Sequence, residues 1–178
     1  LEELTSLKIP FNRQGILMLQ FDDLSDHLSV WNRLVEVRQT QGYLLEILSI
    51  ERLQSDYPFL NLDGITGAVY SPSDRQVHPV YLTQALIEGA KRQGVTFRFD
   101  TEVLEISSDR SLQTSQGKLE TDYLVVSAGI GSTNLTSVDI RPVLGQAIHV
   151  RLPHALSKLQ PVITGNDVHV VPLGGSDY

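Results

Sequence analysis

Apolar and polar positions follow several different periods along the chain, and each period predicts an element. Gly15 to Phe21 is a nearly continuous apolar run, too short for a helix and the right length for a buried strand. Asp22-Asp23 ends it. Leu24, Leu28, Trp31 and Leu34/Val35 then recur at helical spacing, with Arg33, Glu36 and Arg38 on the other side. Gly42 suits the position just past that helix. Ser49 predicts an N-cap for a short helix carrying Leu53, and Pro58 stops it. Gly67-Ala68-Val69-Tyr70 reads as a short strand followed by turn chemistry in Ser71-Pro72-Ser73-Asp74. Pro79 is suited to open a helix with Leu82, Leu86 and Ala90 on one face and Gly94 at its exit.

The period then shortens. Val95 to Phe99, Glu102 to Ile106, Leu112 to Thr114 and Lys118 to Glu120 have strand character. Ser107 to Arg110 and Gln116-Gly117 supply turns between them, which predicts an antiparallel meander of three or four strands. Tyr123 to Ser127 predicts a strand buried on both faces, broken by Ala128-Gly129-Ile130-Gly131. Leu144 to Arg151 and Val168 to Val171 read as further strands. There is no internal repeat and no flexible linker. The predicted class is α+β, or mixed α/β, with at least two layers.

Composition narrows the function classes. A chain of 178 residues suggests one domain or two small lobes. Its net charge of -7 argues against a nucleic-acid partner, because no Lys/Arg stripe offsets it. The absence of cysteine excludes disulfides, thiolate metal sites, a cysteine nucleophile and a cysteinyl-flavin link. It also fits a reducing compartment, so a cytoplasmic location is expected. No apolar run is long enough to span a bilayer, and the first residues do not form a signal peptide. The chain opens Leu1-Glu2-Glu3-Leu4 without an initiator Met and closes on Gly174-Gly175-Ser176-Asp177-Tyr178. Both ends read as cut from something longer.

Local motifs do not assemble a complete active site. Gly129-x-Gly131 follows an apolar strand as a phosphate-binding turn would, but Asn134 stands where a third glycine belongs. On these residues alone it reads as a tight turn at a strand end. The five histidines, His27, His78, His149, His154 and His169, show no helical i, i+4 pair and no accompanying carboxylate cluster, so no metal site is expected. His78 reads as the residue leading into the helix at Pro79. No Gly-x-Ser-x-Gly elbow or Walker loop is present. Asn134-Leu135-Thr136 matches a glycosylation pattern and is read as chance.

One collinear series is distinctive as a whole. It runs Gly67 to Asp74, Val77-His78-Pro79, Leu82 to Leu86, Ala90 to Gly94 and Thr101-Glu102-Val103. Tyr123 to Gly129, Pro142-Val143-Leu144-Gly145-Gln146 and Val171-Pro172 complete it. This order and spacing resembles the D-amino-acid oxidase superfamily of flavoenzymes, most of all its glycine oxidase and sarcosine oxidase branch. The similarity extends from Gly15 nearly to the end of the chain.

The resemblance implies a set of expectations. Residues 1–78 and 141–178 would belong to a substrate-binding domain built on an antiparallel sheet. Residues 79–140 would be part of an FAD domain: one helix, the meander and the strand ending Ser127-Ala128-Gly129. The family's Gly-x-Gly-x-x-Gly strand–turn–helix, which would hold the FAD pyrophosphate, is not among these residues. Val103 matches a residue whose backbone contacts the adenine end of FAD. Ala128 and Gly129 match backbone that approaches the flavin nucleotide, where a side chain would obstruct, and Gly131 goes with them. His169 falls where glycine oxidases place a substrate-lining Tyr. Leu144 replaces a basic residue common before Gly-Gln.

The implied function is a fragment of an FAD-dependent amino acid or amine oxidoreductase, with hydride transfer from the substrate to flavin. The fragment alone would be inactive, would carry no bound FAD, and could self-associate through exposed sheet edges or apolar faces. The catalytic residues are not identified. The alternatives are a hydroxy-acid or glycerol-phosphate flavoenzyme of the same superfamily, and a non-catalytic binding or assembly module.

Overall fold

A computed structural model describes residues 1–21, 24–107, 111–154, 160–173 and 176–178, with the side chains of 24–28 outside the description. In chain order the elements are α1 (Glu2–Thr5), β1 (Phe11–Asn12), β2 (Ile16–Gln20), α2 (Leu24–Thr40), β3 (Glu46–Leu48), α3 (Ile50–Asp56), β4 (Gly67–Ser71), β5 (Gln76–Val77) and α4 (Pro79–Arg92). They continue with β6 (Val103–Ile106), β7 (Ser111–Thr114), β8 (Gly117–Glu120), a 3-10 turn at Gly129–Gly131, α5 (Ser132–Leu135), β9 (Val162–Gly165) and β10 (Val168–Val170). The architecture is mixed α/β, as the residue pattern predicts. The chain divides into two compact units, residues 1–89 with 148–178, and residues 90–147.

The first unit is built on a five-stranded sheet of order β10-β9-β2-β4-β3. Every neighbouring pair is antiparallel except β2 with β9. One face of the sheet carries Leu17, Ala68 and Leu48, which bury against Leu53 of α3. Leu17 and Leu53 are fully buried, each contributing on the order of 2 kcal/mol of transfer free energy. The helix that brings Leu53 into place starts as its sequence dictates: the Ser49 side chain accepts a hydrogen bond from the Arg52 amide. In α2, Trp31, Leu34 and Val35 are half-buried while Asn32, Arg33 and Glu36 face solvent. Gly42, at φ 79°, takes the left-handed conformation that ends this helix, and Tyr43 N–H returns to the Arg38 carbonyl.

In α4 the pattern is only partly followed. The buried positions are Ala85 and Gly89, whereas Leu86 is 54% exposed. Small residues win that face because Leu1, Leu4 and Thr5 of the α1 segment lie directly over Gly89. His78 precedes the helix as expected, its carbonyl accepting from the Leu82 amide.

The second unit holds the predicted meander, with β6, β7 and β8 antiparallel and in chain order. Gly117, at φ 116°, closes the β7–β8 turn. Residues 108–110 of the β6–β7 turn lie outside the described residues.

Three predicted strands are not formed. Val95 to Phe99 is irregular: Phe97 and Phe99 stack on each other at 5.5 Å, and Lys91 lies over Phe99. Asp100 then turns the chain at φ 53°. Tyr123 to Ser127 forms no strand, and Tyr123 and Val125 are 89% and 85% exposed rather than buried. An apolar run becomes a buried strand only beside partner strands, and none of the described strands pairs with it. Leu144 to His149 is exposed for the same reason, whereas at the end of the segment Val150 exchanges backbone hydrogen bonds with Tyr178 and Arg151 bridges Asp177.

Candidate functional site

The residues expected to approach FAD lie together in the second unit. Val103 opens β6, the edge strand of the meander, half-buried and paired with Thr114. The register shifts between Val103 and Glu105, so the strand is irregular where Val103 sits. Just upstream, Glu102 N–H donates to Ser115 Oγ and the Glu102 carbonyl accepts from Ser115 N–H. These bonds fix the entrance to the strand on its β7 side, and no described strand pairs with its other edge.

Ala128 to Gly131 form a tight turn leading into α5, and α5 packs against β6. The turn and the strand that Val103 opens are thus linked through α5. Gly129 stands at φ 56°, a conformation that favours glycine, and a Cβ there would meet nothing within 4 Å. Gly131 N–H bonds the Ala128 carbonyl, and Ser132 N–H bonds the Gly129 and Ile130 carbonyls. Ala128, Gly129 and Ile130 are exposed and Gly131 is half-buried, with the Ala128 Cβ 3.7 Å from where a Cβ on Gly131 would stand.

That arrangement fits one part of a dinucleotide. The observation behind this is the open space beside the Gly129 main chain, where even an added Cβ would touch nothing within 4 Å. The same residues do not make a diphosphate cradle: α5 has four residues, and Asn134 stands at the third-glycine position. Arg141 is paired with Asp139 at 3.0 Å.

His169 lies in the first unit, on β10 at the edge of the five-stranded sheet. Its Nδ1 is 2.8 Å from Thr164 Oγ1 on the neighbouring strand. Residues in cross-strand register share a sheet face, so His169, Thr164, Met18, Val69 and Ile47 form one row. This row is on the face opposite Leu17, Ala68 and Leu48. Val69 is fully buried, Met18 and Thr164 are half-buried, and His169 is exposed. The row therefore opens toward the β10 edge.

Residue patterning missed β9 and with it Thr164. The signal was present: Asn166-Asp167 sit between two short β-branched runs, and both adopt positive φ, 48° and 60°. That is the two-residue hairpin turn these residue types favour. A second cluster was also missed. Asp177 Oδ1 lies 2.6 Å from Arg151 Nε and 3.5 Å from His149 Nε2. The Arg151 guanidinium holds the Asp177 carboxyl below the usual carboxylate range, with His149 adding to it. His78 Nδ1 is buried without a hydrogen-bond partner among the described residues, and its ring meets Tyr81 edge-on at 4.7 Å.

Among the described residues, no group of three or more His, Asp or Glu could hold a metal ion. No helix of the described residues is long and apolar enough to cross a membrane.

The model of the DAO family, FAD dependent oxidoreductase, matches residues 1–176. The chain belongs to that family. It is 30% identical to glycine oxidase of Geobacillus kaustophilus (strain HTA426) over 191 aligned positions, covering 99% of this chain and 48% of the relative. It is 31% identical to glycerol 3-phosphate dehydrogenase of Caloramator mitchellensis, over 74% of this chain and 28% of the relative. Glycine oxidase from Bacillus cereus ATCC 14579 superposes with a TM-score of 0.79 at 26% identity, over 99% of this chain and 50% of that one. The chain thus spans about half the length of the glycine oxidases it matches.

Proposed function

We propose that this DAO-family chain contributes to an FAD-dependent oxidation of a small amino acid or amine, of the glycine oxidase kind. The observation that carries this reading is the likeness to glycine oxidase along 99% of the chain, in sequence and in fold. In the proposal, residues 1–78 and 141–178 bind the substrate and residues 79–140 take part in holding FAD. Backbone at Val103, Ala128, Gly129 and Gly131 would hold part of the nucleotide, supported by the open space beside Gly129. When bound, the flavin supplies the two-electron redox chemistry, and the protein's part is to orient the substrate and exclude competing reactions. His169 would present its imidazole to the substrate from the open end of its sheet row. None of these 178 residues would link FAD through cysteine, since the chain has none. A cytoplasmic location belongs to the same proposal.

The test is expression from the whole gene, a flavin absorption spectrum, and a substrate screen coupled to peroxide detection or an artificial electron acceptor. Turnover of glycine or an N-methylated amino acid is the expected result. A second reading, a glycerol-phosphate flavoenzyme, draws on the likeness to the Caloramator protein. Turnover of glycerol 3-phosphate with no response to amino acids would favour it. A flavin-free product with no turnover would favour a non-catalytic module.

A further inference from the structure

We infer that Thr164 is a positioning residue that locks His169 in the neutral tautomer whose Nε2–H points outward, giving the open sheet face a fixed donor for an anionic acceptor such as a carboxylate. The inference deepens the proposed substrate role of His169 and rests on it only for the identity of the acceptor.

The geometry comes from the hairpin. Asn166 and Asp167 form a two-residue turn with both φ positive, and Gly165 faces Val168 across it. In such a hairpin the pair closing the turn is the hydrogen-bonded one, so the next pair is non-hydrogen-bonded with its side chains closest. That next pair is Thr164 with His169. Threonine is stiff at χ1, so its hydroxyl is held where the strand puts it. The result is the 2.8 Å contact between Thr164 Oγ1 and His169 Nδ1.

A neutral imidazole has one donor and one acceptor nitrogen, and the partner of one nitrogen decides the role of the other. Among the described residues, the Thr164 hydroxyl has no other acceptor for its proton. Donating to Nδ1 satisfies the hydroxyl and makes Nδ1 the acceptor, which puts the ring proton on Nε2. With Nδ1 engaged by Thr164 and the ring exposed at the sheet edge, Nε2–H is the atom left to meet a ligand. A donor at this point selects for a carboxylate or another acceptor group, and against an ammonium.

The test reads the tautomer directly. Long-range 15N–1H spectra of His169 in the 178-residue chain, with assignment by His169→Gln, should show the Nε2–H pattern at a pH where the ring is neutral. Thr164→Val should give a mixture of tautomers, and Thr164→Ser should restore the single form. A Nδ1–H pattern in the unaltered chain, or an Nε2–H pattern unchanged in Thr164→Val, overturns the inference. In the flavin-loaded protein assayed with glycine, Thr164→Val should raise KM about 3- to 10-fold with little change in kcat, the equivalent of one hydrogen bond. A correct tautomer with KM unchanged in both Thr164→Val and His169→Gln would overturn the substrate role of His169 alone.

Discussion

The carbonyl oxygen of Ser71 fills the space that a side chain on Gly15 would need. Gly15 stands at φ 78°, with the Pro72 backbone and the Tyr70 ring also against it. Its own carbonyl accepts from Val162 N–H, tying β9 to the start of β2. A Cβ here meets both left-handed strain and a backbone clash. Gly15→Ala should destabilise the first unit by about 2–4 kcal/mol. Urea unfolding that shows a lower midpoint with an unchanged slope would establish the loss. An unchanged midpoint would mean the β2–β4 approach is looser than described.

Tyr57 packs against the Leu17–Leu53 core, and burial pushes its phenol up to about 12, with Tyr70 beside it adding to the shift. An ordinary tyrosine titrates near pH 10. The folded state therefore holds this proton more tightly than the unfolded chain. Its contribution to stability is complete below about pH 10 and is lost as pH rises toward 12. Burial also raises Tyr70, so phenolate absorbance should show a late phase, and Tyr57→Phe should remove its latest-titrating part. A tyrosine spectrum titrating as a single ordinary group would contradict the packing of Tyr57.

The Asp177 carboxylate should behave in the opposite sense. Its hydrogen bond from Arg151, with His149 nearby, lowers its titration below the ordinary carboxylate range. Its contribution is present above the unfolded pKa and fades as pH falls through the folded one. Carboxyl chemical shifts should report the low titration, and Arg151→Gln should return it toward the usual value. No movement in that variant would break the link between Arg151 and Asp177.

What was legible in the residues and what was not divides along a physical line. Elements set by local chemistry were readable: the Ser49 cap, the Gly42 exit, Pro79 opening α4, and the Gly117 turn of the meander. Elements that depend on distant partners were not. Val125 and Leu144 carry strand-forming side chains, yet no described strand lies beside either, and both are exposed. Leu86 lost its predicted burial because small residues at 85 and 89 admit the α1 segment. Thr164 was missed because a four-residue strand is too short to show a period, although Asn166-Asp167 marked the turn after it. His169 entered through resemblance alone, whereas Gly129 was marked locally as a tight turn by Gly129-x-Gly131 and given a cofactor role only by the resemblance.

Under the proposed function His169 would bear on substrate handling, and its exposure at an edge strand means that removing it should cost the fold little. In the flavin-loaded protein, His169→Ala should lower kcat/KM for its amino acid substrate about tenfold, a loss equal to one hydrogen bond to a charged group. Thermal stability should stay within about 0.5 kcal/mol of the parent, as for a surface change. Unchanged kinetics across the substrate screen would reduce His169 to a residue of the sheet edge.

The 178-residue chain by itself should not hold FAD at one per chain. In the proposed function Val103, Ala128, Gly129 and Gly131 would offer backbone to only part of a nucleotide. The strongest charges on FAD are its phosphates, and these need a helix N-terminus or a glycine-rich nest to meet them. Neither the four-residue α5 nor the Gly129-x-Gly131 turn with Asn134 supplies one. The same unit exposes Tyr123, Val125, Val143 and Leu144 almost completely. Extended apolar segments without a ladder are templates for pairing with another chain. Flavin titration followed by fluorescence quenching should therefore show weak or no binding. Light scattering should show mass rising with protein concentration, and Val125→Lys should reduce that rise. A yellow, monodisperse monomer carrying one flavin would overturn both expectations together, because the cofactor site would then be complete and these apolar segments would need no partner.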